Sequence, residues 1–360
     1  MSHNCRDELL SFLRKDFKKL TAVVMPDFFL DRLVNVNYDV RDFLAAVEDV
    51  AQRKGGSIDG IGQLELRGGN AINTASALAA LGLKVTPIVC TSRLGIELVD
   101  FYLKQYNVDT SRVKVFKKPS ITTALEFKTK NGKVNVMLRD LGALADFGPS
   151  DMNNDDFKLI EDADYVGLFN WAGTKSFGTQ LAEIIFRDVK TKGKGKTYYD
   201  TADPSPNKEK IPELMKNVLQ TGHVDILSVN ENEAICYASE VSDKIEELRN
   251  SLTFDDLAME SARILAKHLS ARVDLHTTSF SATFTKRGES VMPVFKVPVL
   301  RATGAGDSWN AGNILGDGHG LSDRCRLALA NAVAACYISS PEGMHPARKQ
   351  LLRFIENLGS

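Results

Sequence analysis

The sequence has few cysteines, almost no net charge and no long apolar run, and each shortage argues against a class of protein. Its five cysteines are scattered and include no C-x-x-C pair, which argues against a disulfide framework or a zinc knuckle and favours a reducing, cytoplasmic setting. Basic residues number 45 and acidic residues 46, so no overall field recruits nucleic acid or an anionic membrane. No run of about 18 apolar residues is present to span a bilayer. Any anionic substrate must therefore be bound by local groups.

Short β-rich runs alternate with longer segments of helical periodicity along most of the chain. This alternation predicts a mostly parallel central sheet with helices on both faces. After Thr303 the pattern is almost entirely helical. The β-rich runs are TAVVM from Thr21, KVTPIVC from Lys84, DYVGLFNW from Asp164, KTYYDTA from Lys196, VDILSVN from Val224 and RVDLHTT from Arg272.

Three segments depart from this alternation. Residues 1–20 form a predicted amphipathic helical extension, packed on the surface of a main domain that we place at 21–360. The stretches at about 34–66 and 113–140 have the pattern of turns and strands, and KNGK predicts a type I′ hairpin turn at Asn131 and Gly132. We expect these two stretches to form a small β layer that projects from the central sheet.

The stretch TGAGDSWNAG places Gly304, Ala305 and Gly306 directly before Asp307, at the start of a predicted helix. Glycines let backbone N–H groups approach a ligand closely, and a helix N-terminus carries partial positive charge, so this stretch suits an anion or developing negative charge. Asp307 is then placed to accept a proton from an attacking hydroxyl. On these residues alone, a helix start in which Asp307 only complements the dipole is equally consistent.

Two further stretches carry polar groups at predicted helix starts. In LRGGNAIN, Gly68 and Gly69 permit close backbone approach, and Asn73 has an amide suited to sugar hydroxyls. In SVNENEA, Asn230 and Glu233 follow a predicted strand, at the edge where such sheets bind ligands, and can hold hydrated Mg²⁺ indirectly. The structural alternative for this last pair is a capping box, which by itself is the favoured interpretation.

Together the three stretches resemble the ribokinase-like, or PfkB, family of carbohydrate kinases. TGAGDSWNAG is similar to the family's second signature, GGNAIN followed by ASALAALG is similar to the first, and NENE matches its N-x-x-E element. The resemblance runs from about Asp27 to the final helices. It implies a three-layer α/β/α sandwich with a mostly parallel central sheet and a small β-sheet lid, formed by the two irregular stretches. In many members the lid also forms the dimer contact, which implies a homodimer here.

The resemblance also implies a reaction and a set of residue roles. The reaction is transfer of the terminal phosphoryl group of ATP to a sugar hydroxyl, with Asp307 as general base and the amides of Gly304, Ala305 and Gly306 as the anion hole. The residues expected to bind the acceptor are Asp31, with Asp27 as a second candidate, Gly68, Gly69, Asn73, Asn170 and Arg139, with Trp171 beside them. Those expected at the nucleotide are Asn230, Thr277, Thr278, Thr303, Gly304, Gly306 and Asn331, while Glu233 and Asn230 position Mg²⁺ through water.

The sequence departs from the family pattern at two places. Arg301 and Ala302 stand where members often have an acidic residue and a threonine, which puts the monovalent-cation site sometimes associated with that loop in question. His276 to Phe284, HTTSFSATF, contains no glycine where a T-x-G-x-x-G stretch usually touches the nucleotide.

The donor and the acceptor both stay open. ATP is the family default and ADP is possible. If Arg139 faces the site, a phosphorylated sugar becomes possible, because a guanidinium pairs well with phosphate. A nucleoside kinase of the same family is the first alternative, since a ribose presents the same hydroxyls to Asp31 and Asn73. The second alternative is a catalytically silent relative that binds a sugar or a nucleotide.

Overall fold

The computed structural model describes residues 3–106, 108–129, 132–301 and 303–358. Its strands are β1 Thr21–Met25, β2 Phe29–Val36, β3 Gly62–Gly68, β4 Lys84–Pro87, β5 Cys90–Ser92, β6 Lys114–Phe116, β7 Ser120–Thr129, β8 Gly132–Asp140, β9 Tyr165–Phe169, β10 Lys196–Asp200, β11 Ile226–Val229, β12 Arg272–His276, β13 Phe280–Thr285 and β14 Gly288–Pro293. Its helices are α1 His3–Arg14, α2 Val40–Gln52, α3 Asn70–Ala80, α4 Arg93–Leu103, α5 Asn154–Asp162, α6 Gly178–Thr191, α7 Ile211–Leu214, α8 Glu231–Ser239, α9 Lys244–Leu248, α10 Phe254–His268, α11 Ala305–Gly318, α12 Asp323–Ile338 and α13 Arg348–Asn357.

The central sheet has the strand order β14-β13-β12-β11-β10-β9-β1-β4. Within this sheet, the six strands β4, β1, β9, β10, β11 and β12 run parallel, and β13 and β14 complete one edge in antiparallel pairing. Every residue of β9 and β11 is buried, as expected for strands covered on both faces. Each predicted β-rich run contains a strand of this sheet, so the prediction of a mostly parallel α/β sheet is confirmed.

Two hydrophobic cores lie on opposite faces of the central sheet. Along β1, Val23 and Met25 face one core and Ala22 and Val24 face the other, which is the period-two alternation of a strand. The first core is closed mainly by α6, α8 and α10. The second is closed by α1, α3, α11, α12 and α13. Leu9 and Leu13 of α1 are buried there, so the predicted N-terminal amphipathic helix packs on the domain as expected.

No helix in the described ranges is long and apolar enough to cross a membrane.

A second sheet, here called the small sheet, comprises β3, β2, β7 and β8 in that order. It confirms the predicted small β layer, and its strands β2 and β7 pair in parallel between two antiparallel edges. Along β8, Asn135, Met137 and Arg139 line a cavity, and the alternate side chains Val134, Val136 and Leu138 lie on the other face of the strand; residues of both sets are exposed. Gly132 begins β8, but Asn131 lies outside the described residues, so the turn type stays a prediction.

The interpretation of 34–66 as turns and strands alone was wrong, because Val40–Gln52 forms helix α2. Asp39 caps this helix by accepting hydrogen bonds from the backbone N–H groups of Arg41 and Asp42. The ring of Phe43 packs edge-on against Phe127 of β7, with 5.5 Å between the ring centroids. The signal was present in the sequence, because Val40, Phe43, Leu44, Val47 and Val50 recur at helical spacing, although α2 buries none of its residues fully.

Candidate active site

Two cavities lie side by side at the carboxyl edge of the central sheet. The central cavity, of about 480 Å³, lies between this edge and the small sheet. The flanking cavity, of about 430 Å³, lies between the β12–β14 edge and helices α11 and α12. His276 and Gly306 line both cavities. The carboxyl edge is where open α/β sheets generally bind ligands.

Most of the predicted site residues converge on these cavities, although they are far apart in sequence. Those lining the central cavity are Asp31, Gly69, Asn73, Arg139, Asn170, Asn230, Glu233, Thr303, Gly304, Gly306 and Asp307. Those lining the flanking cavity are Thr277, Thr278, Ala305, Gly306 and Asn331. Trp171 lines neither: it packs in the first core and donates its indole N–H to Thr179, so the interpretation of Trp171 as a pocket residue was wrong.

Asp307 lies in the first turn of α11 and is buried, with 6% of its surface exposed. The amide of Asn73 donates a hydrogen bond to its carboxylate over 3.0 Å, and Arg67 in turn donates to the Asn73 side-chain oxygen over 3.3 Å. Burial raises the pKa of Asp307 well above its usual range, and the nearby Asp200 carboxylate raises it further. A carboxyl in this state has a strong tendency to take up a proton.

The loop before Asp307 is shaped by a glycine that no other residue replaces easily. Gly304 is the N-cap of α11 and has a φ of 85°, in the left-handed region, and a Cβ there would lie 2.7 Å from the hydroxyl of Tyr337. The first intrahelical bond after this residue runs from the Ser308 N–H to the Gly304 carbonyl. The N–H groups of Ala305, Gly306 and Asp307 precede that bond and are therefore available to an anion.

Asp27 holds the start of α3 and is not available to a substrate. It is fully buried, and its two carboxylate oxygens accept hydrogen bonds from the backbone N–H groups of Asn70 and Ala71 and from the Asn170 amide, over 2.8 to 2.9 Å. Asn70 is the first residue of α3 after the N-cap Gly69, so the cap comes from Asp27 across the fold and not from the Asn70 side chain. The second candidate for acceptor binding is thereby corrected to a structural role.

Asp31 lies on β2 and faces the central cavity, with one carboxylate oxygen lacking a hydrogen-bond partner among the described residues. A Cβ at Gly68 would overlap the Asp31 carboxylate, which explains the glycine at that position, although Gly68 does not line the cavity. Burial raises the pKa of Asp31 to about 6. Arg139 of β8 lies on the same side of the small sheet, with its guanidinium 5.3 Å from the Phe29 ring centroid.

Asn230 and Glu233 form the capping box at the start of α8. The Asn230 side chain accepts from the Glu233 N–H and the Glu233 carboxylate accepts from the Asn230 N–H, both over 3.0 Å. Burial raises the pKa of Glu233 well above normal, and Asp200 raises it further. Among the described residues, no group of three acidic or other metal-binding side chains could hold a metal ion directly. Asn230 and Glu233 therefore fit a hydrated Mg²⁺ that is held through water better than an ion bound only by protein side chains.

The flanking cavity is mostly apolar, with polar groups at its rim. Asn331 is held there by a hydrogen bond of 2.9 Å from the indole N–H of Trp309. The Thr277 side chain closes the turn to Phe280, with which it exchanges hydrogen bonds. Arg301 donates to the Pro341 carbonyl over 2.8 Å and so ties the loop before α11 to the segment after α12, whereas Ala302 lies outside the described residues.

Comparison with known proteins agrees with this geometry. The model of the pfkB family carbohydrate kinases matches residues 36–350. This chain belongs to the PfkB family of carbohydrate kinases. A 5-dehydro-2-deoxygluconokinase from Geobacillus thermodenitrificans is 26% identical over 298 residues, covering 81% of this chain and 84% of that protein.

Solved structures agree on the fold of this PfkB-family kinase. Arabidopsis thaliana ribokinase, complexed with ribose and ATP, is 18% identical with a TM-score of 0.70, covering 94% of this chain and 99% of that chain. Adenosine kinase from Sinorhizobium meliloti is 16% identical with a TM-score of 0.68, covering 95% and 99%. Sugar and nucleoside kinases thus share this fold, and the fold alone does not select the acceptor.

Three residues of the site in this PfkB-family kinase were missed from the sequence. Asp200 ends β10 in the central cavity, where it accepts a hydrogen bond from Asn310 over 2.6 Å and lies close enough to raise the pKa of Asp307. His276 ends β12 between the two cavities. Arg67 precedes Gly68 and reaches Asn73. Asp200 and His276 could have been predicted, because polar residues at the ends of parallel strands meet at one edge of the sheet. No such pattern pointed to Arg67.

Proposed function

We propose that this PfkB-family sugar kinase transfers the terminal phosphoryl group of ATP to a hydroxyl of an anionic sugar derivative, with Asp307 as general base. The observation that carries this proposal is the buried Asp307 carboxylate, held by Asn73 beside the free N–H groups of the α11 N-terminus. A base and an anion site thus lie within one helical turn. Phosphoryl transfer needs mainly this combination of positioning and electrostatic stabilisation.

The protein side of the reaction follows from these positions. Asp31 and Asn73 hold acceptor hydroxyls in the central cavity, and the hydroxyl that attacks gives its proton to Asp307. The amides of Ala305 and Gly306 stabilise the negative charge of the phosphoryl group in transit. Bound Mg²⁺, near Asn230 and Glu233, would neutralise charge on the phosphates. Burial, and then repulsion from Asp200, raise the pKa of Glu233, and a cation near that carboxylate would favour its charged form.

An anionic acceptor is favoured by Arg139. This guanidinium lines the central cavity, and its charge favours the ionised forms of the neighbouring Asp31 and Asp27, against the effect of burial on their pKa values. A guanidinium recognises carboxylate and phosphate through paired hydrogen bonds. The related 5-dehydro-2-deoxygluconokinases are named for an acceptor that is a sugar acid. A sugar acid is therefore our leading acceptor, and a phosphorylated sugar is the second.

Substitution of Arg139 tests the charge of the acceptor. In Arg139→Met we expect the KM for a sugar acid to rise about tenfold or more, since a charged hydrogen bond contributes roughly 1.5–3 kcal/mol. The KM for a neutral sugar should stay unchanged, and Arg32→Met, at another arginine on the cavity wall, serves as the matched control. Equal effects of Arg139→Met on charged and neutral acceptors would contradict the proposal.

A phosphoryl-transfer screen separates the remaining alternatives. Sugar acids, sugars, sugar phosphates and nucleosides are tested against ATP and ADP, with Asp307→Asn beside the wild-type protein. Turnover of nucleosides alone would establish the nucleoside kinase alternative, which the fold of adenosine kinase keeps open. Absence of turnover together with thermal stabilisation by one ligand class would favour a silent binding protein.

The exposed row on β8 supports a homodimer through the small sheet. Val134, Val136 and Leu138 are 44 to 57% exposed on one face of an edge strand, an apolar surface that a second copy would cover. In Val136→Glu we expect the dimer to dissociate, as measured by sedimentation. Phe101→Glu, at an exposed aromatic on α4, should leave the dimer intact. A monomeric wild-type protein would contradict this assignment.

A cytoplasmic setting for the protein is supported by the five cysteines, which are all free thiols.

A further inference from the structure

The segment after α12 folds back over the loop that leads to α11, and Arg301 joins the two. The backbone N–H groups of Leu300 and Arg301 donate to the carbonyl of Ile338, the last residue of α12, over 2.9 and 3.3 Å. The Arg301 guanidinium donates to the Pro341 carbonyl over 2.8 Å. A Cβ at Gly343, whose φ is 67°, would lie 2.0 Å from Nη1 of the same guanidinium. The charge of Arg301 therefore lies against the carbonyl end of α12.

Two aromatic rings connect this charge to the anion-hole loop. The guanidinium lies 5.9 Å from the Tyr337 ring centroid, and the Tyr337 ring stacks on His345 with 4.6 Å between the centroids. His345 shares a hydrogen bond of 3.1 Å with the Ser308 hydroxyl, which in turn donates to the Gly304 carbonyl over 3.0 Å. Gly304 is the N-cap of α11, so the contacts run from Arg301 to the residue that begins the anion hole.

The residues around this loop do not fit a bound monovalent cation. Such an ion needs carbonyl or carboxylate oxygens in place of its water shell. Here the Ile338 and Pro341 carbonyls already accept hydrogen bonds, and the side chain at position 301 is itself a cation. Burial, and then the charges of Arg67 and Arg301, hold the pKa of His345 well below its usual range. Two fixed positive charges thus already act on this region and would repel a further cation.

We infer that Arg301 takes the place of the monovalent cation, so that this kinase holds its anion-hole loop with a guanidinium and works without K⁺. The inference rests on the proposed function, because it concerns the loop that would stabilise the phosphoryl group in transit. A guanidinium is always charged, so the loop keeps its positive neighbour at any K⁺ concentration. The role is that of a positioning residue, since Arg301 acts through Tyr337 and the loop.

The response of the wild-type protein to K⁺ is the first test. Activity is measured in KCl and in tetramethylammonium chloride at equal ionic strength, with ATP as its tris salt and the acceptor found in the screen. We expect the same kcat in both salts. Thermal denaturation in the same salts needs no turnover, and a cation bound only by the folded protein would raise the melting temperature in KCl alone. Activation by K⁺, or stabilisation in KCl alone, would overturn the inference.

Substitution of Arg301 is the second test. In Arg301→Met we expect kcat to fall about tenfold or more, because a hydrogen bond from a charged donor is lost. The ADP affinity, measured by calorimetry, should stay unchanged, since the loop acts on the phosphoryl group in transit. Arg301→Lys retains the charge and should recover part of kcat. Arg301 also lines the flanking cavity, so a loss of ADP affinity with normal kcat would show direct contact with the nucleotide and overturn the inference.

Arg348→Met is the matched control. Arg348 also lies over an aromatic ring, 4.7 Å from the Phe17 centroid, and donates to the Leu13 carbonyl over 2.6 Å, but it lines neither of the two cavities. Its kcat should match that of the wild-type protein. Normal kcat in Arg301→Met would overturn the role of Arg301. A wild-type protein that phosphorylates no acceptor would overturn the proposed function instead, and the thermal comparison would still decide whether K⁺ binds.

Discussion

Helix α11 has a buried carboxylate near each end, and the surroundings shift the pKa values of the two in opposite directions. Near its N-terminus, burial and the neighbouring Asp200 raise the pKa of Asp307. At the other end, Asp317 is surrounded by Arg272, Lys196 and the Tyr165 hydroxyl, which lower its pKa despite burial. Burial alone therefore does not decide the state of a carboxylate; the charge of its neighbours does. We infer that the first end is built for proton transfer and the second for stability.

The largest expected effect is that of Asp307→Asn. Loss of the general base should lower kcat by about 10²- to 10⁴-fold, measured with the acceptor found in the screen. Thermal stability should not fall, because ionised Asp307 is disfavoured in the folded protein and its removal relieves that cost. A variant with near-normal kcat, or one with a clearly lower melting temperature, would contradict the comparison.

Asp317→Asn should give the reverse result. Removing one partner of a buried ion-pair network leaves Arg272 without full compensation and should cost about 3 kcal/mol of unfolding free energy. We expect kcat to stay normal at a temperature where the variant is folded. Urea denaturation measures the first quantity and steady-state kinetics the second. A loss of kcat without loss of stability would show that the two ends of α11 do not divide their roles in this way.

The pH dependence sharpens the comparison through Asp200. The base form of Asp307 is lost as the pH falls through its raised pKa, so kcat/KM should decline at a higher pH than an ordinary aspartate would give. Asp200→Asn removes a negative neighbour and should move this acid limb to lower pH. Asp31, whose pKa is raised to about 6, contributes a separate limb that Asp31→Asn identifies. If Asp200→Asn leaves the acid limb of kcat/KM at the same pH, Asp200 is not a cause of the raised Asp307 pKa.

The stability contribution of Asp317 is also lost as the pH falls, but in a lower pH range than the activity that depends on Asp307. Its pKa is lowered, so the contribution is present above the ordinary aspartate pKa and is lost as the pH falls through the lowered value. The smallest expected effect is that of Tyr165→Phe, which removes one hydrogen bond to Asp317 and should cost about 1 kcal/mol. Tyr198→Phe, at a buried tyrosine of β10 whose hydroxyl donates to Asn310 and accepts from Asn313, is the control for loss of a hydroxyl. If Tyr165→Phe costs as much at a pH below the lowered pKa of Asp317 as it does at pH 7, the Asp317 charge is not the cause.

Much of the fold was predictable because its signals are local. The buried strands of the central sheet are short β-branched runs between helical patterns, and the Asn230 and Glu233 capping box is written in four consecutive residues. Gly304 marks a left-handed position that few other residues accept. Such features depend on neighbours in sequence, so a pattern suffices to find them.

The rest depends on contacts between distant segments. Asp27 appeared to be an acceptor ligand because nothing in its own segment shows that Asn70 and Ala71 use both of its oxygens. Helix α2, by contrast, could have been predicted from its own segment, because its apolar residues recur at helical spacing even though none of them is fully buried. The position of His276 against Trp309 and Gly306 likewise depends on segments that only the folded chain brings together.

The hydrogen bonds that Asp27 accepts also hold together two segments of the chain between the central sheet and the small sheet. The chain crosses from the central sheet into the small sheet beside Asp27 and returns beside Gly69, and these crossings are tied by the bonds from Asp27 to the start of α3. The other two crossings, near Ser120 and Leu141, are tied by the Ser120 hydroxyl to the Leu141 carbonyl over 2.7 Å. The small sheet is thus joined to the central sheet at two places, and at each place a hydrogen bond ties the outgoing chain to the returning chain.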